Sequence, residues 1–294
     1  MLILLLIALA GFAAQLVDGG LGMGFGATST TLLITLAGLG PAQASAAVHA
    51  AQLGTTLASG ATHWRFGNVD WKVALALAVP GSVAAFLGAT LLANLHMDAA
   101  RPITAAILLC IGINLMWRFS RGRVQRTYSQ RNHGTGFLGA LGFIGGFVDS
   151  TGGGGWGPIT TSTLLSAGRI EPRRVVGTVC TAEFSIAAAA TFGFAFGMWE
   201  DLVSNLLTVA ALLIGGVIAA PIAAWSVTRL NPVILGSFVG TLLVLLNVPT
   251  VLGALDAPEE VLWLVRGAVL LIGINLGVHG FKAYSRNKMR LAAG

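Results

Sequence analysis

Hydrophobic residues in this chain fall into long runs separated by short polar connectors. Runs of membrane-crossing length lie at 42–62, 73–95, 102–118, 172–194, 202–227, 232–249 and 261–281. A helix that spans a bilayer needs roughly 20 such residues. Two further apolar regions, 2–37 and 134–167, are interrupted in the middle by glycine clusters. The pattern predicts an all-α polytopic membrane protein with two broken helices among its spans.

Composition narrows the class. The chain has 294 residues, of which 10% are charged and 55% hydrophobic. About 25% charge is usual for a soluble protein. So little charge cannot cover a soluble surface, which excludes a soluble globular enzyme, a nucleic-acid binder and a disordered chain. The net charge of +6 comes from arginines and lysines gathered in short connectors. That distribution reports orientation, not a nucleic-acid partner. Cys110 and Cys180 both lie in apolar runs, and there is no CxxC, HExxH, Walker A or GxSxG pattern. Neither a redox motif nor a thiolate metal site is therefore supported, and the last absence argues only against one common serine-hydrolase arrangement.

The two broken regions match each other. A gapless shift of 131 residues pairs Gly11 with Gly142, Asp18 with Asp149 and Pro41 with Pro172. It places Gly22, Gly24 and Gly26 on Gly153, Gly155 and Gly157, and Thr30 on Thr161. The segment MLILLLIALAGFAA looks like the core of a signal peptide, but it belongs to one copy of this repeat. The segment IGINL also occurs twice, at 111–115 and 272–276, outside the 131-residue register.

Basic connectors fix the expected topology. Arg118, Arg121, Arg123, Arg126 and Arg131 mark 118–133 as cytoplasmic, and Lys282, Arg286, Lys288 and Arg290 mark the tail. Arg169, Arg173 and Arg174 put 168–174 on the same side, as does Arg229 for its connector. Region 134–167 must then leave and return as a hairpin. Counting outward, 195–201 and 250–260, with Glu200, Asp201, Asp256, Glu259 and Glu260, face outside, as does the N-terminus. The copies enter from opposite faces. The expected organisation is repeat 1 over 1–118 (hairpin 2–37 plus three spans), a basic linker 119–133, and repeat 2 over 134–249 (hairpin 134–167 plus three spans). A further span and basic tail occupy 250–294. Two inverted-topology repeats are a common plan for secondary transporters.

The hairpin tips are the first candidate site. Glycine costs about 1 kcal/mol relative to alanine in a helix, so the tips should break it. A restarting helix offers free N–H groups and a positive dipole end to an anion. The residues placed there are Gly22, Gly24, Gly26, Thr28 and Ser29 in the first copy. In the second they are Gly153, Gly154, Gly155, Trp156, Gly157, Thr160 and Thr161. The centres of the following spans add Gln52 and its repeat mate Glu183, with His49 and its mate Cys180 one helical turn earlier. An intramembrane carboxylate is costly and points to function. Glu183, with Asp18 and Asp149, is a candidate proton carrier, although aspartates beside turns also cap helices.

The two glycine-rich copies, GLGMGFGATSTTLL and TGGGGWGPITTSTLL, resemble the TauE/SafE family of sulfite exporters over essentially the whole chain. The first copy departs from the family's longer glycine run, which makes the second the firmer place for substrate contacts. The resemblance implies transport of a small anion such as sulfite, a sulfonate or sulfoacetate across the bacterial cytoplasmic (inner) membrane. It implies proton coupling or another coupling ion, lipid as the surrounding partner and no cofactor, and leaves a homodimer open. The rival readings are a passive anion channel and, less well supported, an intramembrane enzyme.

Overall fold

The computed structural model describes residues 2–122, 133–167, 169–226 and 232–292. Arg123, Arg126, Arg131 and Arg229, which carried part of the topology argument, lie outside the described residues. Among the described residues eleven helices follow one another: α1 (Leu2–Leu21), α2 (Phe25–Leu36), α3 (Pro41–Arg65), α4 (Trp71–Ala93), α5 (Met97–Ser120) and α6 (Thr135–Gly152). Then come α7 (Trp156–Ala167), α8 (Pro172–Ser204), α9 (Leu206–Ser226), α10 (Pro232–Gly253) and α11 (Glu259–Ala292). Strands are absent among the described residues.

Seven of these helices are long and apolar enough to cross a membrane: α1, α4, α5, α8, α9, α10 and α11. The membership differs from the sequence reading. The 42–62 run, now α3, falls out because its buried face carries Ser45, His49, Gln52, Thr55, Thr56, Ser59 and His63. It is still 25 residues long, or roughly 37 Å at 1.5 Å per residue. The arm α1 replaces it in the set. The outer segment 195–201 is not a loop: α8 continues to Ser204 through a kink at Met198.

Both broken regions fold back on themselves. Leu36 and Ala37 at the end of α2 share a crevice with Ile3 and Leu6 at the start of α1. In the second hairpin, a side chain on Gly145 of α6 would meet Thr160 and Trp156 of α7. Each hairpin is gripped by a helix from the other half of the chain. The arm α1 packs on α9, and α6 packs on α4. Gly11 faces the Leu212 carbonyl in the first contact, and Gly142 faces the Leu77 carbonyl in the second. Glycine at these positions lets two backbones touch, which is how helices pack tightly in lipid.

At the centre, α3 and α8 run antiparallel. Gln43 bonds Asp201, the tilted rings of His49 and Phe194 lie side by side, and Gly60 lies against Thr181. Helices α5 and α10 pair in the same way, and α11 lies outside them against α10 and α5. The repeated IGINL segments acquire a common role here. Gly112 of the first approaches the Gly240 carbonyl, and Gly273 of the second approaches Thr241. Two different helices thus use the same short sequence to dock on neighbouring residues of α10.

The polar connectors sort to two ends. Arg174 pairs with Asp70 at 3.5 Å, and Asp70 donates its backbone N–H to Thr178, joining the 63–72 and 168–174 connectors. Asn287 in the tail segment of α11 bonds the Gly122 carbonyl. Gln43 and Asp201 meet at 2.6 Å at the opposite end.

Candidate anion site between two hairpin tips

The tips meet face to face. Gly153 adopts φ 71° and its repeat mate Gly22 adopts φ 67°, a left-handed conformation that glycine reaches without strain. Thr30 donates its hydroxyl to the Gly153 carbonyl at 2.5 Å, and Thr161 donates to the Gly22 carbonyl at 2.7 Å. These bonds exchange when the chain is shifted by 131 residues. The contact is backbone on backbone: a side-chain carbon at Gly154 would overlap the Ala27 nitrogen, and one at Gly157 would meet the Gly22 carbonyl and Met23.

Asp149 holds the second tip. Its Oδ1 accepts the N–H groups of Gly155 at 2.7 Å and Trp156 at 2.9 Å. These are the first donors of α7, the groups that the sequence reading offered to an anion. The protein's own carboxylate occupies them. In the first tip the repeat mate Asp18 lies near the Phe25 backbone, the position equivalent to Trp156. Asp149 therefore acts as a cap, and what it caps is the anion-attracting end of the restarted helix α7.

The other oxygen of Asp149 faces His49, Oδ2 to Nε2 at 3.1 Å. His49 Nδ1 lies 2.8 Å from the Ser45 carbonyl. A carbonyl can only accept, so Nδ1 carries a proton. One further proton must then lie on the Nε2···Oδ2 contact, either on the ring or on the acid. Both side chains are buried.

The repeat mates form a parallel cluster. Asp18, Cys180 and Glu183 bring one oxygen or sulfur each within 4.8 Å of one another. Gln52 Nε2 donates to Glu183 Oε1 at 2.9 Å, joining the two mates across the centre. This trio could offer three ligand atoms to a cation, a grouping hidden from spacing because Asp18 and Cys180 come from different halves of the chain.

The remaining residues divide. Gly24 caps α2, Gly26 packs against Gly154, and Thr160 bonds back to the Trp156 carbonyl. Trp156 is fully buried, and its indole N–H donates to the Val179 carbonyl, so its ring fills core between α4, α6 and α8. Thr28 Oγ1, Ser29 Oγ, Gln52 Oε1 and Thr55 Oγ1 are buried with no hydrogen-bond partner among the described residues. Leaving such a group unpaired costs about 1–3 kcal/mol. Ser45, Thr55, Ser59 and Asn247 were missed by sequence reasoning. Ser45 bonds the Ser150 carbonyl, Ser59 lies beside the Cys180 thiol, and Asn247 ties α10 to Thr31. For the α3 residues a signal existed, the spacing of polar side chains three and four apart.

A polytopic helical bundle with ionisable groups buried where two broken helices meet is the architecture of a membrane transporter. The comparisons with known proteins agree. A family model described as sulfite exporter TauE/SafE matches residues 7–250, and the chain belongs to that family. It is 44% identical over 278 residues to the "probable membrane transporter protein YtnM" of Bacillus subtilis (strain 168), covering 92% of this chain and 91% of the relative. It is 26% identical over 239 residues to "probable membrane transporter protein YdhB" of the same organism, covering 81% and 94%. No solved structure matches the chain significantly.

Proposed function

We propose that the protein is a secondary transporter for a small anion, of the class of sulfite, sulfonates or sulfoacetate, in the bacterial cytoplasmic membrane. The two hairpin-plus-three-span units act as inverted repeats, and the basic connectors face the cytoplasm. The site lies between the tips, and alternating access moves one repeat against the other. The observation that carries this reading is the reciprocal meeting of the tips, with Asp149 seated on the N-terminus of α7 and its mate Asp18 beside the start of α2.

That seating suggests how an anion and a proton are linked. An incoming anion needs the N–H groups that the aspartate holds. Protonation of the aspartate removes its charge and weakens its claim on them, and the anion replaces it. Thr28, Ser29 and Gln52 supply unpaired polar atoms beside the exchange. Glu183, bonded to Gln52, is the second proton carrier.

In proteoliposomes, sulfite or a sulfonate is expected to accumulate against its gradient when a pH gradient is imposed. Flux indifferent to collapse of that gradient would remove proton coupling and favour a passive channel. Glu183→Gln keeps a partner for Gln52 and should abolish pH-driven accumulation while sparing anion binding; a fully coupled variant would sink the role of Glu183.

We also propose a homodimer through α11. Asn275 and His279 sit one turn apart on its exposed face, beside Leu271, Ile274 and Val278. Lipid cannot hydrogen-bond an amide, and a second copy related by a two-fold axis can. Asn275→Leu should shift the detergent-solubilised protein towards monomer in light scattering. An unchanged mass would rule out this interface.

A further inference from the structure

Helix α3 carries a polar stripe that its repeat mate lacks. Ser45, His49, Gln52, Thr56, Ser59 and His63 recur at spacings of four and three, so they share one face, and all are buried. From Gln52 to His63 the stripe covers roughly 16 Å of helix, about half of a 30 Å hydrocarbon core. It starts at the central cluster and ends beside the exposed Arg65 and the Asp70–Arg174 pair.

The wall facing this stripe is also polar. Ser59 lies beside the Cys180 thiol, Gly60 lies against Thr181, and Thr178 holds the Asp70 N–H. Several atoms along it lack a protein partner: Gln52 Oε1, Thr55 Oγ1 and both ring nitrogens of His63. Dry burial of four such atoms would be costly. A chain of polar groups is the setting in which buried water is retained.

The opposite half differs in kind. The 131-residue shift carries Thr55, Thr56, Ser59 and His63 onto Ile186, Ala187, Ala190 and Phe194 of α8. All four mates are buried apolar residues, and Phe194 closes over His49 with ring centres 5.9 Å apart. The repeat keeps Gln52 and Glu183 at its centre and diverges in the next three turns.

We propose that the face of α3 from Gln52 to His63 is the water-accessible half-pathway between the central cluster and the basic end of the molecule. His63 stands at its mouth, and Ile186, Ala190 and Phe194 seal the other half. The inference rests on the central cluster being the transport site. It assigns protons and small hydrophilic anions to the basic face in this conformation.

The test reads water access, not transport. Ser59→Cys and its repeat mate Ala190→Cys are made separately in a Cys110→Ala, Cys180→Ala background. Each is treated with a membrane-impermeant cationic thiol reagent in right-side-out cells and in inside-out vesicles. Ser59→Cys should react from the face bearing Arg65 and Lys72 at least about tenfold faster than Ala190→Cys reacts from either face, because a sealed thiol reacts only during local opening. His63→Leu should slow the Ser59→Cys reaction by about tenfold, which is a barrier of about 1.4 kcal/mol, and His63→Asn should not. Faster labelling of Ala190→Cys, or an unreactive Ser59→Cys in protein that remains monodisperse, overturns the half-pathway. An anion-uptake assay on the unsubstituted chain reports separately on the transporter reading.

Discussion

Gly154→Ala is expected to destroy the site and most of the fold's stability with it. The added carbon would overlap the Ala27 nitrogen and the Gly26 carbonyl carbon, both backbone atoms that cannot swing aside. Gly154 also has φ 153°, a conformation side chains rarely adopt. Overpacking costs about 1–3 kcal/mol, and backbone strain of this kind about 1–3 kcal/mol more. The tips must separate or the hairpin must rebuild. The thermal midpoint of purified protein should collapse, and anion-dependent stabilisation should vanish. Gly139→Ala is the matched control in the same hairpin, since nothing lies within 4 Å of its added carbon. It should be neutral or stabilise α6 by up to about 1 kcal/mol. Equal behaviour of the two variants would mean that the tips do not touch.

Asp149→Ala is the second large expected effect. The substitution strips the cap from Gly155 and Trp156 and removes the partner of His49 Nε2. Losing a cap costs about 0.5–2 kcal/mol. Removing one partner of a buried pair costs about 3–5 kcal/mol when the other stays charged. The diagnostic readout is rescue. With the carboxylate gone, the N-terminus of α7 is free, and sulfite should raise the melting temperature of Asp149→Ala more than that of the unsubstituted protein. Asp149→Asn retains an acceptor for the N–H groups and should show neither the full loss nor the rescue. If sulfite shifts all three equally, the aspartate does not compete with the anion.

Charge and hydropathy along the chain made the membrane class legible. The apolar runs needed no tertiary information, because every backbone group in a lipid-embedded helix is satisfied within the helix. The hairpins were legible for a related reason: Arg169, Arg173 and Arg174 cannot sit opposite the other basic connectors without breaking the charge asymmetry. The candidate residues were legible as repeat mates. Asp18 and Asp149, Gln52 and Glu183, and His49 and Cys180 stand in one register.

Other features escaped the sequence. Hydropathy read α3 as an ordinary apolar span, since averaging over the run hides a single polar face. The glycine tips looked like open anion cradles. In the structure Asp149 fills the second cradle from a few residues upstream, and the two tips close on each other. Trp156 looked like a cavity wall and instead fills core under the tip.

The sequence by itself determined the helical membrane class, the doubled glycine break, the sorting of basic connectors and the identity of the titratable residues. Each of these depends on composition or on spacing within a short stretch. Tertiary structure alone decided which of those residues meet. It paired His49 with Asp149, Gln52 with Glu183 and Cys180 with Asp18, because α3, α8 and the hairpin tips from opposite halves pack through one another. Contacts between residues 100 or more positions apart are set by how glycine-lined backbones fit together, and no local pattern encodes that fit.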